Sequence, residues 1–150
     1  GKEKKDLVEL AKRKNVLNKN LYFLDPVPKS LIPAVLGDAD ISSCLVIDVK
    51  ELEHNSANKF FDSLAAGCCV ALNYGGWQGD LILEHNAGLV LSRDPGIAAN
   101  QLQKAIAEPG FLDAAKHGAK FLASNKFDRD LLGGMLTSIF DVLSTTDSKK

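Results

Sequence analysis

Asp62 stands four residues after Asn58 in the run Asn58-Lys59-Phe60-Phe61-Asp62-Ser63-Leu64-Ala65-Ala66-Gly67-Cys68-Cys69-Val70. A polar cap at Asn58 ends a loop, a short helix follows, and Gly67 turns the chain into an apolar strand. This order sets a helix N-terminus beside the carboxyl end of a buried strand, the edge where α/β proteins bind phosphorylated ligands. Asp62 falls on the same helix face as Asn58 and offers a carboxylate one turn on. Phosphates at the free amides and ribose hydroxyls at the carboxylate would suit a nucleotide. The same spacing also fits a well-capped core helix with a dipole-favoured acid near its start.

Other polar groups fall near the same edge. His54 can donate to a phosphate or a sugar hydroxyl, although a lone histidine is more often structural or solvated. Ser56 and Asn58 are small, which leaves backbone amides open to a diphosphate. Lys59 adds a point charge, against its unfavourable place beside a helix N-terminus. Gly75 and Gly76 follow a strand end and let the backbone approach a ligand or a facing domain. Trp77, the single tryptophan, fits equally well half-buried against the next helix. Lys29 follows the Val27-Pro28 turn, where Phe23 and Val27 could pack a nucleobase.

The elements that position these groups follow from periodicity. Lys2 to Lys14 is predicted helical, with Leu7, Leu10 and Ala11 on one face. Leu21 to Leu24 is a predicted strand, stopped by Pro26 and Pro28, and Ser30 can cap a helix through Leu36. Ile41 to Ile47 is a near-continuous apolar strand, as expected when both faces are covered. A polar loop, the helix from Asn58 and the strand Val70 to Asn73 come next. Then follow a helix Gly79 to His85, a strand Gly88 to Leu91, and helices Pro95 to Ala107 and Leu112 to Ala123. Asp128 caps a last helix to about Leu143, interrupted at Gly133-Gly134, and Ser144 to Lys150 is expected to be a disordered tail. Four strands alternating with helices predict an α/β fold, a Rossmann-like parallel sheet with helices on both faces.

The 150 residues are one domain's worth of chain, and a formal net charge of −1 gives no electrostatic case for nucleic acid as a partner. No apolar stretch could span a bilayer and no signal peptide is visible. The three cysteines, two of them adjacent, make neither a disulfide framework nor a zinc site. No metal site is expected. Cys44, Cys68 and Cys69 read as small buried hydrophobes, and a reducing cytosol fits them.

The motif order resembles the donor-binding domain of retaining glycosyltransferases with the two-domain GT-B fold, in family 4. The run from Asn58 is similar to the "NK-F-(D/E)-x-LAAG-x-x-V" segment of the branch that builds bacterial O-antigen and capsule sugars. Gly75-Gly76-Trp77-Gln78 resembles that branch's Gly-Gly-Trp-Gln loop. Glu84, Ala87-Gly88-Leu89-Val90 and Phe127-Asp128-Arg129 follow in order, and Leu21 to Lys29 resembles the strand and loop facing the nucleobase. The similarity runs from about Leu7 to Leu143.

The resemblance implies a partial GT-B C-terminal domain over residues 1–143, part of a longer enzyme and inactive alone. It implies a UDP-sugar as donor substrate, no further cofactor, and a lipid-linked saccharide acceptor held by an N-terminal domain. It implies a cytoplasmic protein with peripheral association at the inner membrane face in its full-length form. Asp62 takes the place of the second acid of the family's "E-x7-E" motif, which holds the ribose hydroxyls. His54 stands where the first acid is expected, a departure from the pattern. A nucleotide-sugar epimerase of the same fold and a non-catalytic module with a decayed site are the alternatives.

Overall fold

The structure, a computed structural model, describes residues 2–147. Helix α1 (Lys4–Arg13) carries lysines around an apolar stripe, of which only Ala11 is fully buried. Left-handed turns at Asn15 and Asn18 follow, both at asparagines, which tolerate that conformation. The expected strand at Leu21 to Leu24 does not form. Leu21 makes an isolated bridge with Leu17, and its N–H donates to the Val16 carbonyl within a turn. Pro26 and Pro28 have no N–H to offer a ladder, and Leu24 is 74% exposed. Lys29–Leu31 form a single 3₁₀ turn that includes Ser30, so Ser30 does not cap α2 (Ile32–Gly37).

Three strands, β1 (Ile41–Cys44), β2 (Cys69–Leu72) and β3 (Gly88–Val90), pair in parallel in the order β1-β2-β3. Ile41 lies opposite Cys69, and Val70 opposite Gly88. All four residues of β2 are buried, so both faces of the central strand are covered, which explains its unbroken apolar run. The chain is therefore α/β with a small parallel sheet. β1 stops at Cys44, short of the expected Ile47, which is 73% exposed. The β1–β2 ladder ends at Cys44 and Leu72, and beyond it the Asn73 side chain takes over the pairing. Its Oδ1 accepts from the Val46 N–H at 2.8 Å and its Nδ2 donates to the Val46 carbonyl at 2.9 Å.

Helices α3 (Asn58–Ala65), α4 (Gly76–Glu84), α5 (Pro95–Ala107) and α6 (Phe111–Asn125) complete the α/β part. Phe60 and Leu64 of α3, Ile82 of α4 and Leu122 of α6 meet Val70 and Leu72 in one core, each at most 1% exposed. Full burial of such a side chain contributes about 1.5–3 kcal/mol. Gly67 ends α3 in the left-handed region, φ +69°, and feeds β2 directly. Asp128 Oδ1 accepts from the amides of Asp130 and Leu131, as expected of a cap for α7 (Arg129–Asp147).

Gly133-Gly134 does not interrupt α7. Thr137 and Ser138 donate their hydroxyls to the carbonyls of Gly133 and Gly134, each at 3.0 Å, and the helix runs through. The cost of each glycine, about 1 kcal/mol, is too small to break so long a helix. The helix also takes in residues 144–147 of the expected tail, while residues 148–150 lie outside the described residues. Among the described residues no helix is long and apolar enough to cross a membrane.

Candidate functional site at the carboxyl edge of the sheet

The segments that leave the carboxyl ends of β1, β2 and β3 bring most of the predicted residues to one edge. α3 begins at Asn58, with Ala57, not Asn58, at the cap position and no side chain capping the helix. Asn58 is thus the first helical residue, and its expected capping role is corrected. The first amides of α3 have no side-chain cap, the condition under which an anion is attracted there. The helix takes its orientation from its apolar face. Phe60 and Leu64 are wholly buried, and Ser63 Oγ donates to the Lys59 carbonyl at 2.6 Å and shares a 2.8 Å hydrogen bond with Ser42 Oγ of β1. Asn58, Lys59 and Asp62 are left exposed on the other side.

Asp62 and Lys29, distant in sequence, line the same crevice. Its volume is about 160 Å³, and Ile32, Pro33, Ala65 and Ala66 complete its walls. Asp62 also borders an apolar cleft of about 360 Å³ lined by Phe61, Phe127 and Leu132. Asp62 therefore stands between a mainly apolar crevice that also takes in Lys29 and an aromatic cleft. Val27 is 39% exposed and is not one of the residues that wall the crevice.

α4 begins at Gly76, three residues before the expected Gly79, so Trp77 lies in its first turn. A buried pair anchors that turn, with the Tyr74 hydroxyl donating to Gln78 Oε1 at 2.6 Å. Trp77 does not pack on its own helix alone. Its ring centroid lies 5.8 Å from Phe60, 6.2 Å from Phe61 and 6.4 Å from Phe127, within an aromatic cluster that joins α3, α4 and the turn between α6 and α7.

Gly75 occupies the cap position of α4. Gly76 has φ +73°, and a Cβ there would sit 2.7 Å from the Glu53 carbonyl oxygen. The close approach that Gly76 permits is to the chain itself, at the 3₁₀ segment Lys50–His54. His54 is the last residue of that segment and is exposed, as is Ser56 just beyond it.

Sequence reasoning missed Arg93. It follows β3 almost directly, and that position after a strand is the signal that could have found it. Its Nη1 lies 3.3 Å from Asp48 Oδ1 and its Nη2 3.7 Å from Glu53 Oε1. A cation from the loop after β3 thus spans the sheet edge to hold the segment after β1.

No ready nucleophile emerges from the thiols. Burial pushes the Cys69 thiol up to about 11 and raises Cys68 as well. Burial also raises the Tyr74 phenol, helped by its hydrogen bond to Cys44. The arrangement offers anion attraction at α3, one carboxylate and one lysine in a common crevice, and an aromatic wall. Compared with protein-family models, with curated proteins and with solved structures, the chain matches none of them.

Proposed function

We propose that this chain is the donor-nucleotide side of a sugar transferase. It binds a UDP-sugar and acts within a longer protein that passes the sugar to a lipid-linked saccharide. The observation that carries the reading is the meeting of Lys29 and Asp62 in one crevice along the second half of α3, one turn beyond its uncapped start. A diphosphate takes the amides at Asn58 and Lys59, the ribose hydroxyls donate to Asp62, and Lys29 adds positive charge. Sugar transfer builds negative charge on the leaving diphosphate as its bond to the anomeric carbon breaks. Amides and cations already in place stabilise that charge without reorganising. His54, at the end of the neighbouring 3₁₀ segment, serves as a hydrogen-bond donor to the phosphate or the sugar.

Titration calorimetry of UDP into the protein tests the reading. Asp62→Asn keeps the size and removes the charge, so UDP affinity should fall by roughly tenfold or more, as expected for a charge-assisted hydrogen bond of about 1.5–3 kcal/mol. The melting temperature should hardly move, because Asp62 is exposed and lies beyond the first turn of α3, where the helix dipole has little effect. Unchanged UDP affinity in Asp62→Asn removes Asp62 from the site.

A further inference from the structure

The segment Asp48 to Glu53 carries three carboxylates, Asp48, Glu51 and Glu53, against the single cation Lys50. It lies next to His54 and runs towards the start of α3, the place proposed above for a diphosphate. Left alone, that segment repels an anion. We propose that Arg93 is the positioning and charge-neutralising residue that makes this edge acceptable to a nucleoside diphosphate, an inference that rests on the nucleotide reading above.

Three observations support it. Arg93 is the cation that reaches both Asp48 and Glu53, at 3.3 and 3.7 Å. Its side chain is 29% exposed and that of Glu53 33%, so solvent screens this pair less than it would on an open surface, whereas Asp48 is 84% exposed and its pair is the more screened. The segment it holds is seated by a backbone contact as well, where Gly76 meets the Glu53 carbonyl. Arg93 therefore does two things at once. It fixes the turn that ends in His54, and it cancels carboxylate charge where the ligand's own charge must come. Neither role places it in contact with the ligand.

The test compares a charged with an uncharged ligand, using UDP and uridine on the same protein. Arg93→Met should weaken UDP about tenfold and uridine less than about twofold, because only UDP feels the exposed carboxylates. Adding Asp48→Asn and Glu53→Gln to Arg93→Met removes the repulsion but not the lost clamp, so it should restore part of the UDP binding, which a purely structural clamp would not allow. If Arg93→Met fails to fold, Asp48→Asn with Glu53→Gln in the wild-type background still decides: UDP should bind more tightly, with uridine unchanged. Equal losses for UDP and uridine, no rescue by the neutralised pair, or no gain for UDP in the neutralised wild type overturns the role of Arg93 and leaves the nucleotide reading standing. A wild-type protein that binds neither UDP nor uridine overturns both.

Discussion

Asn73→Ala is the sharpest test of how the sheet edge is built. Asn73 is not in a strand, yet its amide replaces a neighbouring backbone, accepting from the Val46 N–H at 2.8 Å and donating to the Val46 carbonyl at 2.9 Å. Both groups of Val46 sit part-buried, where water serves them poorly. Alanine removes both hydrogen bonds together. At a net contribution of about 0.5–1.5 kcal/mol each, the loss should be about 2 kcal/mol, read as a lower urea midpoint at unchanged slope. Asn73→Asp sharpens the test. The carboxylate still accepts from Val46 N–H but sets a second oxygen against the Val46 carbonyl. Protonation turns that oxygen into a donor, so the folded state favours the protonated acid and raises its pKa. The deficit of Asn73→Asp should therefore shrink as pH falls through the ordinary carboxylate range and grow above it. A loss under about 0.5 kcal/mol for Asn73→Ala, or a pH-independent Asn73→Asp, would refute the claim that this side chain extends the sheet.

Gly76→Ala combines a left-handed φ of +73° with a Cβ 2.7 Å from the Glu53 oxygen. It should cost about 1–3 kcal/mol by thermal denaturation and alter the environment of Trp77 by fluorescence, and a neutral result removes the tight seat of the 3₁₀ segment. Cys69 binds its proton more tightly folded than unfolded, with a thiol pushed from 9.0 to about 11. Its contribution is intact below about pH 9 and is lost as pH rises towards about 11, in total about 2–3 kcal/mol. Cys69→Ala should flatten that part of the alkaline stability curve, and an identical curve in the variant would contradict the burial argument.

The sequence by itself determined what depends on near neighbours. The apolar run of β2, the helix from Asn58 and its turn at Gly67, and the cap at Asp128 were all legible because each follows from residues within a turn or two. Local signals also misled where their strength was small. Asn58 has capping chemistry, but Ala57 took the cap, because Phe60 and Leu64 fix how α3 lies and hence where it starts. Leu21 to Leu24 has strand-like composition, but a strand exists only with a partner, and β1 pairs with β2 alone. Tertiary structure decided the rest. Asn73 finds Val46 across 27 residues, Lys29 meets Asp62 across the contact of α2 with α3, and Arg93 reaches back to Asp48 and Glu53. No periodicity encodes such meetings. They arise when packing sets the distance between elements, and only then does a side chain's charge or hydrogen-bonding capacity acquire a partner.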